Sequence, residues 1–377
     1  MKYLGIDCGR GFFSAIGVAV LLTAALAFHC VTGACATEDG PPATRQTPPP
    51  DYSSYTQSYR VPFGNIRPVD FDHLQGLSVR ASLNGGPPMR FQVDTGSTGV
   101  IVGAGEVPNI DPNAPAGSIT YTSSGIELDG VWTPVTITFP DSNDGHGNIA
   151  TAVVPVLAVS ERKIHPGAVN SGTLKPMSNP KVYMFGIGSG RGKEPHQERN
   201  PWVNLKEMQA GSMRRGYAIT RDGITLGLTP DAVGKGYLFE KLKEHTGLPT
   251  TAPATQPGSK DWDSSTGWIT VGGAKQEEAG MLLDTGLTNL MIELPDVAVP
   301  SDVADGTEVS VNLLGGKLQY SFKVGDTANP ATPRKVTYVK RAAGPLVNTG
   351  LRVLSLYDYL YDADGGYLGL KPVAKKP

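Results

Sequence analysis

Cysteine is almost missing from this sequence, and its positions exclude two kinds of site. All three cysteines, Cys8, Cys30 and Cys35, lie near the amino terminus. The rest of the chain therefore holds neither a disulfide framework nor a zinc site with thiolate ligands. The six histidines are scattered, with no pair at the spacing of one helical turn, so the sequence gives no sign of a histidine-based metal site either.

Charge of either sign is also scarce. Charged residues make up 18% of the chain, and 33 Lys and Arg against 35 Asp and Glu leave a net charge of −2. No long basic run occurs, which argues against a nucleic-acid partner. The low charged fraction fits an extracytoplasmic protein. The absence of any Asn-x-Ser/Thr glycosylation site mildly favours a bacterial source.

Turn-forming residues are abundant instead. The chain has 47 glycines and 31 prolines among 377 residues, and 39% of its residues are hydrophobic. This composition supplies a real core and favours a protein rich in turns and strands over a helical bundle. The length allows two similar structural units.

The amino terminus has the pattern of an export signal. Lys2 and Arg10 give a weakly basic start, and Phe12–Phe28 is a long run without charge. Ala34-Cys35-Ala36 then forms an A-x-A cleavage pattern, which predicts a signal peptide at 1–36. We expect a secreted or periplasmic protein, or one of the cell envelope.

Two alternatives use the same residues. An uncleaved signal would be a membrane anchor, although the uncharged run Phe12–Phe28 lies at the short limit for a membrane span. Val31–Cys35 also resembles a bacterial lipobox, in which Cys35 would become the lipidated first residue, although Thr32 stands where Leu is usual. We expect contact with a membrane only through one of these two devices.

An internal repeat is the most informative feature of the sequence. Asp94-Thr95-Gly96 and Asp284-Thr285-Gly286 each follow an apolar strand and precede another, although they lie far apart along the chain. Each is followed downstream by an apolar-Gly-apolar segment, Phe185-Gly186-Ile187 or Leu368-Gly369-Leu370. Two such triplets in matching frames indicate two related lobes.

The repeat divides the chain. We predict a signal peptide at 1–36, a disordered tether at 37–58, an N-terminal β-lobe at 59–230, a helix and a Pro/Thr-rich interlobe linker at 231–265, and a C-terminal β-lobe at 266–377. The linker is centred on Leu248–Gly258. Each lobe contains one Asp-Thr-Gly triplet.

Local signals predict a few elements. Leu77–Leu83 with Met89–Val93, and Ser118–Tyr121 with Ile126–Thr138, are predicted as hairpins because turn residues separate alternating runs. Pro201–Ala210 is predicted as a helix that begins with proline. A second helix is predicted from Pro230 to about His245, closed by Gly247, with Lys235–Glu244 as its solvated face.

Paired aspartates at such turns suit one chemistry. Two carboxyl groups about 3 Å apart share one proton, because both cannot ionise easily. The ionised member can take a proton from water while the protonated member polarises a carbonyl group. Thr95 and Thr285 can bond the backbone across the junction, and Gly96 and Gly286 allow a close backbone approach.

At these residues the chain resembles the pepsin-like aspartic peptidases, in particular secreted bacterial members or two fused retroviral-type units. The resemblance covers most of Tyr59–Ala374 and includes Ser118–Tyr121 followed by Gly125, which is similar to the family's flap. It implies a mostly β, bilobal acid-protease fold, an extended peptide or protein substrate, and no metal or organic cofactor. A monomer is expected, because one chain supplies both aspartates. The implied site residues are catalytic Asp94 and Asp284, supporting Thr95, Gly96, Ser97, Thr285 and Gly286, and the flap residue Tyr121.

The sequence also departs from the family. Leu287 stands where a second Ser or Thr is usual, so we expect Asp284 to lack a side-chain donor, to carry the shared proton more often, and to raise the upper pKa of the pair. Glu161–Pro180 is an unfamiliar insert. Two other functions stay open: a catalytically inactive pepsin-like protein of the envelope that binds peptides or proteins, which Leu287 favours, and a tethered envelope protein with a structural fold.

Overall fold

The computed structural model describes residues 48–121, 125–165, 175–191, 196–246, 260–275, 278–341 and 343–374. The predicted signal peptide, Cys35 and the first part of the predicted tether lie outside the described residues. So do the predicted linker at 248–258, Gly247, residues 122–124 of the predicted flap and residues 166–174 of the predicted insert. Within the described ranges, no helix has the length and apolar character that a membrane crossing requires.

Strands dominate the described residues. The first half contains β1 (Tyr59–Val61), β2 (Ser78–Leu83), β3 (Met89–Asp94), β4 (Thr98–Gly103), β5 (Ala116–Tyr121), β6 (Ile126–Thr138), β7 (Thr151–Ile164), β8 (Met177–Ser178), β9 (Tyr183–Ile187), β10 (Gly216–Thr220) and β11 (Gly223–Leu226). The second half contains β12 (Leu238–Lys241), β13 (Ser265–Val271), β14 (Ala274–Lys275), β15 (Ala279–Leu282), β16 (Leu290–Leu294), β17 (Ser301–Asp302), β18 (Glu308–Leu313), β19 (Leu318–Lys323), β20 (Val336–Lys340), β21 (Leu346–Asn348), β22 (Tyr357–Asp362) and β23 (Tyr367–Pro372). Short 3₁₀ turns occupy Ala104–Glu106, Gln197–Arg199, Pro201–Val203 and Leu351–Ser355, and the α-helices are α1 (Lys206–Gln209) and α2 (Pro230–Val233).

Three sheets organise these strands into a mostly β, bilobal protein. An eight-stranded sheet in the order β5-β6-β2-β3-β9-β4-β7-β8 forms the first lobe. A nine-stranded sheet in the order β17-β20-β16-β21-β15-β13-β18-β19, with β14 beside β13, forms the second. The third sheet, β1-β11-β10-β22-β23-β12, takes strands from both halves of the chain and so joins them. Both predicted hairpins are confirmed as β2–β3 and β5–β6.

The same strand arrangement surrounds both Asp-Thr-Gly turns. In the first lobe, β9 lies parallel to β3 and antiparallel to β4. In the second, β21 lies parallel to β15 and antiparallel to β16. The predicted internal repeat is therefore present in the sheet topology of the two lobes.

The expectation that Leu368-Gly369-Leu370 is the partner segment of the second Asp-Thr-Gly turn is wrong. Leu368-Gly369-Leu370 lies in β23, which pairs with β12 and β22 in the third sheet. The counterpart of Gly186 is Gly350. A Cβ atom on Gly186 would meet Ser97 and Gly99, and one on Gly350 would meet the equivalent residues of the second lobe, Leu287 and Asn289.

Both predicted helices are shorter in the structure. Pro201–Ala210 is a 3₁₀ turn followed by the four-residue α1. The helix from Pro230 starts as expected, because the Thr229 hydroxyl accepts a hydrogen bond from the Ala232 amide at 3.1 Å. It ends at Val233, since Gly234 and Gly236 have φ angles of +64° and +94°.

The rest of the second predicted helix is a strand. β12 pairs with β23, and the ring of Phe239 packs beside Gly369. A solvated helix face at Lys235–Glu244 is therefore wrong, because pairing with a sheet edge overrides local helix propensity here.

The prediction of a disordered tether at 37–58 is wrong for its carboxyl-terminal part, residues 48–58. Tyr52 is buried against Leu228 and Leu360. The Arg214 guanidinium lies 5.8 Å from the ring centre of Tyr52 and 5.7 Å from that of Tyr55. Residues 48–58 therefore belong to the folded protein, held by aromatic burial and cation–π contacts.

Candidate active site

The two Asp-Thr-Gly turns meet through their threonines. Thr95 N donates to Thr285 Oγ1 at 3.0 Å, and Thr285 N donates to Thr95 Oγ1 at 2.9 Å. Each hydroxyl also donates to a carbonyl oxygen of the other lobe: Thr285 to Val93 at 2.8 Å, and Thr95 to Leu283. These reciprocal, buried bonds hold the turns in one geometry and bridge the backbone across the junction, as expected for both threonines.

The carboxyl groups of Asp94 and Asp284 lie side by side above this junction. Both side chains are buried, with residue exposures of 6% and 8%. Gly96 N donates to Asp94 Oδ1 and Gly286 N donates to Asp284 Oδ1, each at 2.7 Å. Each aspartate thus receives one backbone hydrogen bond from its own turn.

The two glycines make the close approach possible. A Cβ atom on Gly96 would lie 2.6 Å from Asp284 Oδ1, and one on Gly286 would lie 2.6 Å from Asp94 Oδ1. Real Cβ atoms do not approach oxygen so closely, so any other residue would push the carboxyl groups apart. Gly96 and Gly286 therefore do allow the close approach that the sequence predicts.

The side-chain donors of the two aspartates come from different places. Ser97 Oγ donates to Asp94 Oδ2 at 2.6 Å, as the sequence predicts. Asp284 Oδ2 accepts a bond of 2.7 Å from Asn348 Nδ2, a buried amide at the end of β21. The expectation that Asp284 lacks a donor because of Leu287 is therefore wrong.

The sequence does not predict Asn348, because it offers Gly369 rather than Gly350 as the counterpart of Gly186. With Gly350 as the counterpart of Gly186, Asn348 lies two residues before the glycine and contacts Asp284 of the turn. The expectation that Asp284 carries the shared proton more often assumed that Asp284 lacks a side-chain donor. Asn348 supplies this donor, so that reason for the expectation no longer holds.

Burial raises the pKa of Asp94 to about 8, and the negative charge of Asp284 contributes to this rise, whereas the Ser97 hydrogen bond opposes it. A raised upper pKa for the pair agrees with the expectation from sequence. Its cause is burial beside a second carboxyl group, not a missing donor at Asp284.

Tyr121, at the end of β5, lies near the pair. Its hydroxyl donates to Met184 Sδ at 3.0 Å. Burial raises the pKa of the Tyr121 phenol far above its usual value, and the nearby charge of Asp94 adds to the shift. The hairpin therefore brings its tyrosine to the aspartates, while its role over a substrate stays a prediction.

An arginine that the sequence analysis missed also lies near the pair. The Arg191 guanidinium is close enough to Asp284 for their charges to interact, and its charge also interacts with those of Asp261, Glu293 and Arg341. Burial lowers its pKa, and these carboxylates oppose the shift. Glu293 forms an ion pair with Arg341 at 3.3 Å. No motif in the sequence marks Arg191.

The site has the groups for acid–base chemistry on a polar bond. Two buried carboxyl groups in contact, each with a backbone and a side-chain hydrogen-bond donor, can hold and exchange one proton. Over the part of the chain that the structure describes, no group of three or more His, Cys, Asp or Glu residues could hold a metal ion.

A scan against protein-family models and a search of curated proteins both return no match for this chain.

Proposed function

We propose that this protein is an exported aspartic endopeptidase with a pepsin-like bilobal fold. The observation that carries the proposal is the buried pair of Asp94 and Asp284, held together by the reciprocal bonds of Thr95 and Thr285. Two ordinary β-turns with no shared function would not need the reciprocal hydrogen bonds that Thr95 and Thr285 form. The export signal at 1–36, with lipidation at Cys35 as its alternative, stays a prediction within this proposal.

The pair would hydrolyse a peptide bond without a covalent intermediate. One carboxylate takes a proton from water, and the water oxygen attacks the carbonyl carbon. The protonated carboxyl group gives its proton to the carbonyl oxygen. An extended peptide would lie between the lobes, with Tyr121 and the β5–β6 hairpin over it. The buried surroundings strengthen these electrostatic interactions, because bulk solvent screens the two carboxyl groups less.

An inactive peptide-binding protein is the alternative from sequence. Its one supporting feature was Leu287. Since Asn348 gives Asp284 its donor, Leu287 no longer favours loss of activity. We therefore retain the peptidase as the function that the geometry supports best.

The class of compound that inhibits the protein tests this proposal. The purified protein is expected to hydrolyse extended peptides without added metal, and a statine-type mimic of the tetrahedral state should inhibit it because its hydroxyl occupies the place of the attacking water. A chelator should leave the rate unchanged. Inhibition by the chelator, with no effect of the statine compound, would contradict an aspartate pair as the catalyst.

The pH dependence of activity should extend to neutral pH. The active pair holds one proton, so activity falls as pH rises through the upper pKa of the pair. Burial beside a second carboxyl group raises the pKa of Asp94 to about 8, which places this upper pKa well above that of a free carboxyl group. We expect the alkaline limb of kcat/KM on one peptide near pH 8. A limb near pH 5, in protein that remains folded by circular dichroism, would be incompatible with this account of the site.

One chain should suffice for activity, because both aspartates come from it. Specific activity is expected to stay constant over a wide range of dilution, while sedimentation velocity reports a monomer. A steep fall on dilution, together with a shift from dimer to monomer, would instead indicate a site shared by two chains.

A further inference from the structure

The side chain that donates a hydrogen bond to the aspartate comes from the turn in one lobe and from the neighbouring strand in the other. In the first lobe the turn carries the donor Ser97, and the neighbouring strand β9 carries the apolar Met184. In the second lobe the turn carries the apolar Leu287, and strand β21 carries the donor Asn348. The strand register makes the two strand positions equivalent, since Met184 pairs with Ile101 of β4 and Asn348 pairs with Met291, the counterpart of Ile101 in the second repeat.

A hydroxyl and an amide nitrogen differ as partners of a carboxyl group. A serine hydroxyl can donate to a carboxylate or accept from a carboxylic acid, whereas the NH₂ of asparagine only donates. Ser97 Oγ lies 3.7 Å from Met184 Sδ, so it has a second acceptor when it accepts from a protonated Asp94. The Asn348 amide cannot flip to present its oxygen to Asp284, because that Oδ1 accepts a hydrogen bond from Gly350 N at 3.0 Å.

The oxygen of Asp284 that faces Asn348 must therefore act as an acceptor. A proton on that oxygen would oppose the amide hydrogens and break the bond of 2.7 Å. The same constraint is absent at Asp94. The donor set alone thus favours the ionised form of Asp284 over the ionised form of Asp94.

The charges around Asp284 act in the same direction. Arg191 is a cation whose charge interacts with Asp284. Glu293 opposes it, but Glu293 is itself paired with Arg341. Asp261 and Arg341 also interact with the charge of Arg191. Two phenols among the described residues, those of Tyr121 and Tyr217, interact with Asp94, and burial keeps both neutral.

We propose that Asn348 is a positioning residue that keeps Asp284 ionised, so that Asp284 is the base and Asp94 carries the shared proton. The inference rests on the proposed peptidase function and assigns the two roles within it.

With Asp284 as the base and Asp94 as the acid, the pair completes a catalytic cycle. Asp284 takes a proton from water as the water oxygen bonds to the carbonyl carbon, and Asp94 gives its proton to the carbonyl oxygen as the C=O π bond breaks. Asp284 then protonates the leaving nitrogen as the C–N bond breaks. A hydroxyl of the intermediate returns its proton to Asp94, which restores the starting state.

The test measures which apparent pKa of the pair each donor controls. The full chain, with ¹³C-labelled aspartate carboxyl groups, is titrated by NMR, and the two resonances are assigned with Asp94→Asn and Asp284→Asn. The pH profile of kcat/KM is measured in parallel. Asn348→Leu, which is nearly isosteric, and Asn348→Met remove the amide donor. The double variant Leu287→Ser/Asn348→Met copies the Ser97 and Met184 arrangement of the first lobe and should rescue the site.

We expect both single Asn348 variants to raise the lower apparent pKa, and with it the acid limb of activity, by about one to two units. The upper pKa should move much less. The double variant should return the lower pKa toward the wild-type value. Ser97→Ala should do the reverse, raising the upper pKa and leaving the lower one in place.

The opposite pattern would overturn the assignment. If the Asn348 variants move only the upper pKa, or if Ser97→Ala moves the lower one, Asp94 is the base. No shift in either variant would equally rule out the proposed role of Asn348. Should the Asn348 variants fail to fold, Ser97→Ala decides by itself. If the wild type cleaves no peptide, the proposed function fails, yet the NMR titration still reports which aspartate is ionised.

Discussion

Replacing Asp94 or Asp284 by Asn is expected to lower kcat/KM on a peptide by about 10³-fold or more, because neither carboxyl group can serve as both acid and base. The two variants should lose activity to a similar degree. The double variant should lose little more than either single one, since residues that act as a unit are not additive. Steady-state kinetics on one peptide at pH 5 measures all three.

A matched control separates this effect from a general loss of carboxylates. Asp141 lies on the surface and pairs with Arg80 at 3.1 Å. Asp141→Asn should retain wild-type kinetics, because exposed ion pairs contribute little to stability. Full activity in Asp284→Asn would refute a catalytic pair, whatever the behaviour of Asp94→Asn.

Gly96→Ala is expected to have the second largest effect. The added Cβ would lie 2.6 Å from Asp284 Oδ1 and force the two carboxyl groups apart. Displacing catalytic groups by about 1 Å costs on the order of 10²-fold in rate, so kcat should fall by that factor or more. Gly286→Ala should behave alike, because its Cβ would meet the carboxyl group of Asp94.

Gly105→Ala is the control for this change. No atom lies within 4 Å of a Cβ at Gly105, so kcat and the melting temperature should stay close to wild type. A Gly96→Ala variant with wild-type kcat would mean that the two carboxyl groups need no close contact for activity.

The central part of the site could be predicted because its signals are local and occur twice. Each aspartate follows a short apolar strand and precedes a threonine and a glycine, so the turn is defined by neighbouring residues. The contacts of Thr95 and Thr285 followed from the chemistry of hydroxyl groups at such a junction. The hairpins β2–β3 and β5–β6 were found for the same reason, since turn residues mark them in the chain.

Features set by tertiary contacts were missed. Asn348 reaches Asp284 from a distant strand, and only the sheet register reveals it. The segment that forms β12 has a charge pattern typical of a helix, but it forms a strand because it pairs with the edge of β23. Tyr52 lies in a stretch with the composition of a tether, yet its ring fits a cluster formed by distant residues.

Cleavage of a peptide library from about pH 3 to 8 tests the central claim most directly. The account predicts that the purified wild-type protein cuts extended peptides within this range without added metal, and that Asp94→Asn and Asp284→Asn, folded to the same melting temperature, cut none at a comparable rate. A folded wild-type protein that cleaves no peptide at any pH, or cleavage that persists in either Asn variant, would contradict it.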